Sequence, residues 1–234
     1  MDERRKIVRL LMHNPVLSFN ELWNKEGRSN KFAYHVKVLE QEGIIEKTVR
    51  GYRLANKGKK EAAYIEGATG KENKFPMLGV IIALHDNKNN KFLLLKRTKE
   101  PFYGYWSFHG GKLNFEQYIF ECAEEKLKKK TGLKCNLVFK GMLSTKTYNN
   151  GKLSYNHQLF ILKGENSKGK LIEQTTGGKN RWFTKEEINN LKVIPTVPYI
   201  VDIVLSKKFR WIEADRFQED GEFKSIKILK DKLL

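Results

Sequence analysis

Residues 111–133 have the sequence GKLNFEQYIFECAEEKLKKKTGL, which begins with one glycine and has a second near its end. The spacing of its apolar residues predicts a helix from about Glu116 to Lys130. Gly132 is placed to end that helix, because glycine readily adopts the left-handed conformation of a helix C-cap. The segment therefore predicts a glycine turn, a helix and a second glycine turn in direct succession.

Charged side chains are distributed unevenly around this predicted helix. At about 100° per residue, three of its lysines fall on the side of the apolar stripe, whereas its glutamates fall mostly on the other side. We therefore expect these lysines to point towards the interior of the fold and the glutamates to point towards solvent. The lysines are Lys126, Lys129 and Lys130, and the glutamates are Glu121, Glu124 and Glu125.

The residues that precede this helix are typical of a β-sheet and a loop. A buried strand is predicted at Met77–Leu84, and Phe92–Leu95 is its predicted hairpin partner. An aromatic loop rich in glycine follows. We expect Trp106 to fill the core beneath the helix, whereas Tyr103 and Tyr105 could either stack on a base or pack inside.

The end of the chain, residues 206–234, predicts a further hairpin. Its strands are expected at 209–217 and 223–229, joined around Asp220-Gly221. Three roles are open for this extension: it could complete a sheet, contact the N-terminal region or form a dimer interface.

The order of residues 111–133 resembles the signature of Nudix hydrolases, in which a glycine, a glutamate and an Arg-Glu-apolar-any-Glu-Glu-any-Gly-apolar run stand at fixed spacing. Anchored on Gly111 and Gly132, the spacing fits without a gap. Leu93–Arg97 is similar to that family's second strand, and Asn180–Phe183 to its late strand. The resemblance implies an α/β/α Nudix sandwich at residues 75–205.

The departures from this signature fall on the residues that hold a metal ion in that family. The first glutamate is Gln117 here, the arginine is Glu125, and the metal-binding glutamates are Lys126, Lys129 and Lys130. An ammonium group has no lone pair to offer, so it cannot coordinate Mg²⁺ or Mn²⁺. We therefore expect no magnesium or manganese cofactor at this helix, and we assign no catalytic residue.

The lysines at the metal positions could instead bind the diphosphate of a nucleotide directly. The resemblance then implies an anionic small-molecule effector similar to ADP-ribose. The alternative is a lost site whose lysines extend into solvent. His109 receives no catalytic role, because a lone histidine without a partner is a weak acid–base candidate. The candidate ligand-binding residues are Arg97, Tyr105, Gly110, Gly111, Lys126, Lys129 and Lys130.

Residues 1–66 predict a different module, in which three helices are followed by a hairpin. Ser18-Phe19-Asn20-Glu21 is a capping box that opens the second helix, and Arg50-Gly51 is the predicted hairpin turn. This order resembles the winged helix-turn-helix of transcriptional regulators, which implies double-stranded DNA as a partner. Binding of another protein is the alternative. The candidate DNA-binding residues are Asn30, Lys31, Tyr34, His35, Lys37, Arg50 and Arg53.

The amino-acid composition is compatible with anionic partners such as DNA or a nucleotide. The 234 residues carry a formal net charge of +18, which favours a polyanionic partner.

The longest apolar run, Met77–Leu84, is far shorter than the roughly 20 residues needed to cross a bilayer, so no membrane partner is expected. Cys122 and Cys135 lack metal-ligand spacing, and the N-terminus lacks a secretory signal, so we expect a cytoplasmic protein. Residues 67–74 contain no large apolar residue and form the predicted linker.

Together these patterns predict an α+β chain that combines a winged helix-turn-helix domain with a Nudix-like domain and a C-terminal hairpin. The leading functional hypothesis is a ligand-responsive, homodimeric DNA-binding regulator whose Nudix-like domain is catalytically inactive. One alternative is a Nudix-type pyrophosphohydrolase that uses Glu116, Glu165 or Glu173 as its carboxylates. The other is an RNA-binding or scaffold protein.

Overall fold

The computed structural model describes residues 3–25, 27–64 and 75–234. The chain forms two compact units, which divide between Phe75 and Pro76. The predicted linker, residues 67–74, lies outside the described residues. In the parts of the chain that the structure describes, no helix is both long enough and apolar enough to cross a membrane.

The N-terminal unit packs short helices and a hairpin around one apolar core. Ser18 Oγ accepts a hydrogen bond from the N–H of Glu21 at 3.3 Å, and the Glu21 carboxylate accepts one from the N–H of Ser18 at 2.7 Å. The predicted capping box is therefore confirmed. The elements described in this unit are α1 (Glu3–His13), α2 (Phe19–Trp23), α3 (Ser29–Gln41), β1 (Ile45–Thr48), β2 (Gly51–Leu54) and α4 (Asn56–Ala62). The core includes Ile7, Leu11, Leu22, Phe32, Val36 and Leu39.

The hairpin of this unit is anchored to the chain that precedes α2. Leu17 and Tyr52 exchange two backbone hydrogen bonds, at 3.0 and 2.8 Å. Thr48 pairs with Gly51, so the turn residues are Val49 and Arg50, one position earlier than predicted. Gly51 has a φ of +141°, and a side chain there would collide with the Leu17 carbonyl. Because Leu17 approaches so closely, position 51 requires glycine. Gly51 is therefore paired in the strand and lies outside the turn.

The C-terminal unit is an extended β-sheet with helices on both faces. Its described strands are β3 (Met77–Asp86), β4 (Lys91–Arg97), β5 (Trp106–Ser107), β6 (His109–Lys112), β7 (Lys134–Asn149), β8 (Lys152–Lys168), β9 (Gln174–Thr175), β10 (Gly178–Thr184), β11 (Arg210–Glu219) and β12 (Glu222–Leu233). Its described helices are α5 (Ile119–Thr131), α6 (Lys185–Asn189) and α7 (Val197–Leu205).

The strand order is β12-β11-β7-β8-β3-β4-β10-β9, with β5 beside β4 and β6 beside β3. Strand β3 separates two apolar cores, because successive side chains of a strand point to opposite faces. Val80 and Ile82 pack with Leu127 of α5, whereas Ala83 packs with Ile200 of α7. Helices α5 and α7 therefore cover opposite faces, which is the predicted α/β/α layering.

Helix α5 starts three residues later than predicted. The N–H of Tyr118 donates to the Glu121 carboxylate at 3.4 Å, so the first turn closes at Ile119 instead of Glu116. Gly132 ends the helix with a φ of +75°, and its N–H donates to the carbonyl of Lys128. The glycine C-cap is confirmed.

The C-terminal extension adds two strands to the sheet. Strand β11 lies parallel to β7, and β12 pairs antiparallel with β11. Completing a sheet was one of the three roles that the sequence left open, and it is the role that the structure shows.

Candidate ligand-binding cavity and DNA-contacting surface

A cavity of about 450 Å³ lies in the C-terminal unit, beside β3 and β6 and beneath the end of α5. Its size suits a small organic ligand. Among the described residues that line it, four are cationic and none is a carboxylate. An excess of positive charge in a concave site favours an anionic occupant. The cationic residues are Arg97, Lys112, Lys130 and Arg216.

Lys130 reaches this cavity from the last turn of α5. Its Nζ donates a hydrogen bond to the carbonyl of Gly110, which lines the same cavity. Burial lowers the pKa of Lys130, and the positive charges of Arg97 and Lys126 lower it further. These cations therefore repel one another, and a bound anion would relieve that repulsion.

Arg97 stands at the end of β4 and is also partly buried. Its Nε donates to the carbonyl of Pro101 at 2.9 Å, and its guanidinium carbon lies 6.0 Å from the centre of the Phe102 ring. Burial lowers the pKa of Arg97, and the nearby charge of Glu100 partly offsets that effect. Lys130 and Arg97 are thus two predicted ligand-binding residues that the fold brings together.

Two further predicted lysines are placed differently. Lys126 packs along Gly111, where an added side chain would lie 3.2 Å from the Lys126 stem, and its Nζ pairs with Glu125 at 3.1 Å. Lys129 is exposed to solvent. Neither lysine lines the cavity. The prediction that all three lysines point inward is therefore wrong for Lys129. This residue lies at the margin of the stripe of buried residues on α5, which ends at Thr131.

Tyr105, a predicted ligand-binding residue, is part of the core. It is 5% exposed, its hydroxyl donates to the Glu222 carboxylate at 2.6 Å, and that hydroxyl accepts a bond from the N–H of Phe223 at 3.0 Å. Tyr105 does not line the cavity, since these bonds direct it towards the C-terminal hairpin. Trp106 packs edge-on against Phe183 at 4.7 Å between ring centres. It is half-buried against the core that α7 covers, so it has a core role, but the prediction that it lies beneath α5 is wrong.

Arg216, like Lys112, is a cationic cavity residue that the sequence patterns did not predict. Only 4% of it is exposed, and its Nε donates to Thr147 Oγ1 at 3.0 Å. Its guanidinium carbon lies 5.5 Å from the Phe102 ring centre and 5.6 Å from the Phe223 ring centre. Burial alone lowers the pKa of Arg216 to about 10. The alternation of apolar and polar residues along this strand could have indicated that Arg216 is buried, because Ile212, Ala214 and Arg216 share the buried face of β11.

Aromatic side chains form one wall of the cavity. The Tyr155 ring lies 5.7 Å from the Phe102 ring and 5.9 Å from the His157 ring. Burial, together with the charges of Arg216 and Lys112, lowers the pKa of His157 to about 4, so this imidazole is neutral at pH 7. A neutral aromatic wall beside a cluster of cations can accommodate a base or sugar next to a phosphate.

A buried polar pair fixes the position of the α5 end. His109 Nε2 lies 2.8 Å from Asn180 Oδ1, and Asn180 Nδ2 donates to the carbonyls of Lys130 and Ile172. Because the amide nitrogen donates to two carbonyls, Oδ1 is the acceptor and His109 carries its proton on Nε2. Burial lowers the pKa of His109 to about 4. His109 thus holds Lys130 in place through Asn180.

The NUDIX domain model matches residues 76–201, which is more than half of the chain. The chain belongs to the NUDIX family. The structure of a MutT protein from Bacillus halodurans has a TM-score of 0.53 and 24% identity, covering 65% of this chain and 97% of that one. The NUDIX domain of NrtR from Shewanella oneidensis, solved with ADP ribose, has a TM-score of 0.50 and 16% identity, covering 64% of this chain and 97% of that one. The comparison with curated proteins finds no match.

The NUDIX helix of this chain does not fit a metal ion. Lysines occupy the positions where the family's signature carries its metal-binding glutamates, and one of them, Lys130, is bonded to Gly110. Among the described residues, no three His, Cys, Asp or Glu side chains are grouped closely enough to hold a metal ion. An ammonium group can replace the charge of a metal ion, but it cannot activate a water molecule as a metal does.

Neither the three glutamates of α5 nor the three considered for a pyrophosphohydrolase line the cavity. Glu121, Glu124 and Glu125 are exposed on α5, and Glu116 and Glu173 are exposed elsewhere. The sixth, Glu165, pairs with Lys163 at 2.7 Å. These carboxylates are thus not positioned around a ligand in the described part of the NUDIX domain.

The candidate DNA-binding residues lie in the other unit, outside the NUDIX domain. Tyr34 is 59% exposed on α3, whereas His35 is half-buried. Arg50 is exposed at the hairpin tip, and Arg53 pairs with Glu46 on the neighbouring strand. The exposed residues of α3 in this set are Asn30, Lys31, Tyr34 and Lys37.

Proposed function

We propose that this chain is a cytoplasmic, homodimeric DNA-binding regulator of transcription whose NUDIX domain binds a nucleotide diphosphate or a similar phosphorylated metabolite without hydrolysing it. The observation that carries this proposal is the cavity that gathers Arg97, Lys130 and Arg216 with no carboxylate among its described lining residues. A diphosphate would supply the negative charge that balances these buried and half-buried cations. The aromatic wall would accept the nucleoside or the sugar.

ADP-ribose is the first effector to test. A domain of similar fold, the NUDIX domain of Shewanella oneidensis NrtR, is bound to ADP ribose in its structure. At 16% identity this likeness extends to the fold alone, so it selects a probe and assigns no residue. The residues that we propose to contact the diphosphate are Lys130 and Arg97, beside the backbone of Gly110 and Gly111.

The N-terminal unit supports a DNA-binding role by its order of elements. Three helices precede a hairpin, and the hairpin is joined to Leu17 by backbone pairing, as in a winged helix-turn-helix. In this proposal α3 enters the major groove, and the hairpin, with Arg50 at its tip, contacts phosphate or the minor groove. A homodimer would place two such helices on two half-sites.

The test of the regulator proposal is a binding measurement with and without effector. Fluorescence anisotropy would follow the full chain on duplexes selected from a random library, at fixed salt, with and without ADP-ribose. We expect sequence-selective binding of duplex DNA whose affinity changes when ADP-ribose is added, because an effector that favours one state must shift the equilibrium. Preference for RNA of the same sequence, or no response to ADP-ribose, would contradict the proposal.

A further inference from the structure

We infer that the C-terminal hairpin, residues 210–233, completes the ligand cavity and that Arg216 binds a phosphate group of the effector through its two Nη groups. This inference rests on the proposed function, since it assigns a further contact in the same cavity. It concerns a part of the chain that lies beyond the matched NUDIX domain, which ends at residue 201.

The first observation is an unneutralised cation in the protein interior. Arg216 is 4% exposed, and burial is the one cause that lowers its pKa, with no contribution from a neighbouring carboxylate. Among residues 75–234 it forms no ion pair. Burying a charge without a partner is destabilising, so such a residue is expected where a ligand supplies the opposite charge.

The second observation is the direction in which Arg216 is held. Its Nε donates to Thr147 Oγ1, and its guanidinium lies against the rings of Phe102 and Phe223. Within the described residues, neither Nη group has a hydrogen-bond acceptor, although Arg216 lines the cavity. A planar guanidinium with both Nη groups unused is suited to bidentate recognition of a phosphate.

The third observation is that the hairpin is fastened to the loop that carries Phe102. Glu222 accepts bonds from Tyr105 and from Lys192 Nζ, the latter at 2.9 Å, and the N–H of Phe223 donates to the Tyr105 hydroxyl. Phe223 also packs against Phe102, with 5.1 Å between ring centres. The hairpin therefore forms part of the cavity wall and holds Arg216 beside the aromatic loop.

The chemical class of the ligand follows from the number of cations. Arg97 and Arg216 approach the same Phe102 ring, and Lys130 lies close enough to Arg97 to lower its own pKa through repulsion. Several cations that line one cavity match a ligand with at least two phosphate groups better than a monophosphate. We therefore expect ADP-ribose and ADP to bind more tightly than AMP, and adenosine to bind least.

The test compares Arg216→Met and Arg216→Lys with Arg210→Met in the full chain. Arg210 is on the same strand, but its charge is already paired with Asp231 at 2.6 Å. Calorimetry with ADP-ribose should show a loss of about tenfold or more for Arg216→Met, a smaller loss for Arg216→Lys, and no change for Arg210→Met. Without ligand, the melting temperature of Arg216→Met should equal or exceed that of the wild type, because a buried unpaired charge has been removed.

Two results would overturn this inference. If Arg216→Met and Arg216→Lys bind ADP-ribose within about twofold of the wild type, Arg216 has a structural role and the proposed function stands. The wild type could also fail to bind ADP-ribose, ADP and pyrophosphate alike. That failure would overturn the proposed function together with the inference. Should Arg216→Met not fold, the affinity of Arg216→Lys relative to Arg210→Lys decides between these outcomes.

Discussion

Two groups of cations, one in each unit, differ in their exposure to solvent. On α3 and the hairpin of the N-terminal unit, Lys31, Lys37 and Arg50 are exposed, whereas in the cavity of the C-terminal unit Arg97 is half-buried and Arg216 is buried. Exposed cations are screened by salt and bind an extended polyanion through many weak contacts. Buried cations are screened less and require an anion of defined shape. The same excess of basic residues therefore supports two different kinds of recognition.

The largest expected difference between the two regions is their response to salt. If six or more phosphates are neutralised, the affinity for duplex DNA should fall by roughly 10³-fold between 50 and 200 mM salt. The affinity for ADP-ribose should fall by less than about tenfold over the same range, because the cations that line the cavity are shielded from solvent. Anisotropy and calorimetry at matched salt concentrations measure both slopes. Equal slopes would contradict the contrast between the units.

A charge reversal inside the cavity should have the next largest effect. Lys130→Glu would place a carboxylate beside Arg97, so we expect the affinity for ADP-ribose to fall by roughly 100-fold. Lys129→Glu makes the same charge change one residue away at an exposed position, and it should change the affinity less than about threefold. Calorimetry on both variants makes the comparison. Equal losses would show that the helix attracts the ligand only by its overall charge.

Acidification should destabilise the C-terminal unit. The pKa values of His109 and His157 are lowered to about 4, so between pH 6.5 and 4 the unfolded chain binds protons that the folded chain does not. The contribution of each neutral histidine to the free energy of unfolding is therefore complete above pH 6.5 and decreases as the pH falls. Between pH 7 and 5 the free energy of unfolding should decrease by about 1–2 kcal/mol per histidine. Urea unfolding at both pH values measures this loss. His109→Gln should show a smaller loss than the wild type, and an unchanged pH dependence would contradict the assignment.

The smallest expected effect belongs to a single cation on the DNA-contacting surface. Arg50→Gln should lower the affinity for duplex DNA about threefold and reduce the salt slope by about one, because one phosphate contact is removed. Arg53→Gln is the matched control, since Arg53 already pairs with Glu46, and its effect should be smaller. Anisotropy measures both, while the affinity for ADP-ribose should not change. A larger effect of Arg53→Gln would reverse the roles of the two arginines.

Local signals in the sequence predicted much of the fold. The capping box at Ser18, the glycine C-cap at Gly132 and the buried strand that begins at Met77 each depend on residues a few positions apart, and the structure confirms them. Lys130 was found as a cavity residue because the spacing of residues 111–133 resembles a known signature. The α/β/α layering followed from the same resemblance.

Contacts between distant parts of the chain were not predictable in this way. Tyr105 was assigned to the ligand, but its hydroxyl bonds to Glu222, 117 residues away. Strand alternation could indicate only that Arg216 is buried. Its place in the cavity depends on the parallel pairing of β11 with β7, which no local pattern specifies. The cavity is therefore lined in part by the C-terminal extension, outside the segment that carries the family's signature.

The proposed function requires that the NUDIX domain bind a diphosphate without metal and without hydrolysis. Calorimetry of the full chain with ADP-ribose, in magnesium and in EDTA, tests it when the mixture is afterwards analysed for AMP by chromatography. We predict the same affinity in both buffers and no AMP. Metal-dependent formation of AMP and ribose 5-phosphate would contradict the proposed function and would show that the protein is an enzyme.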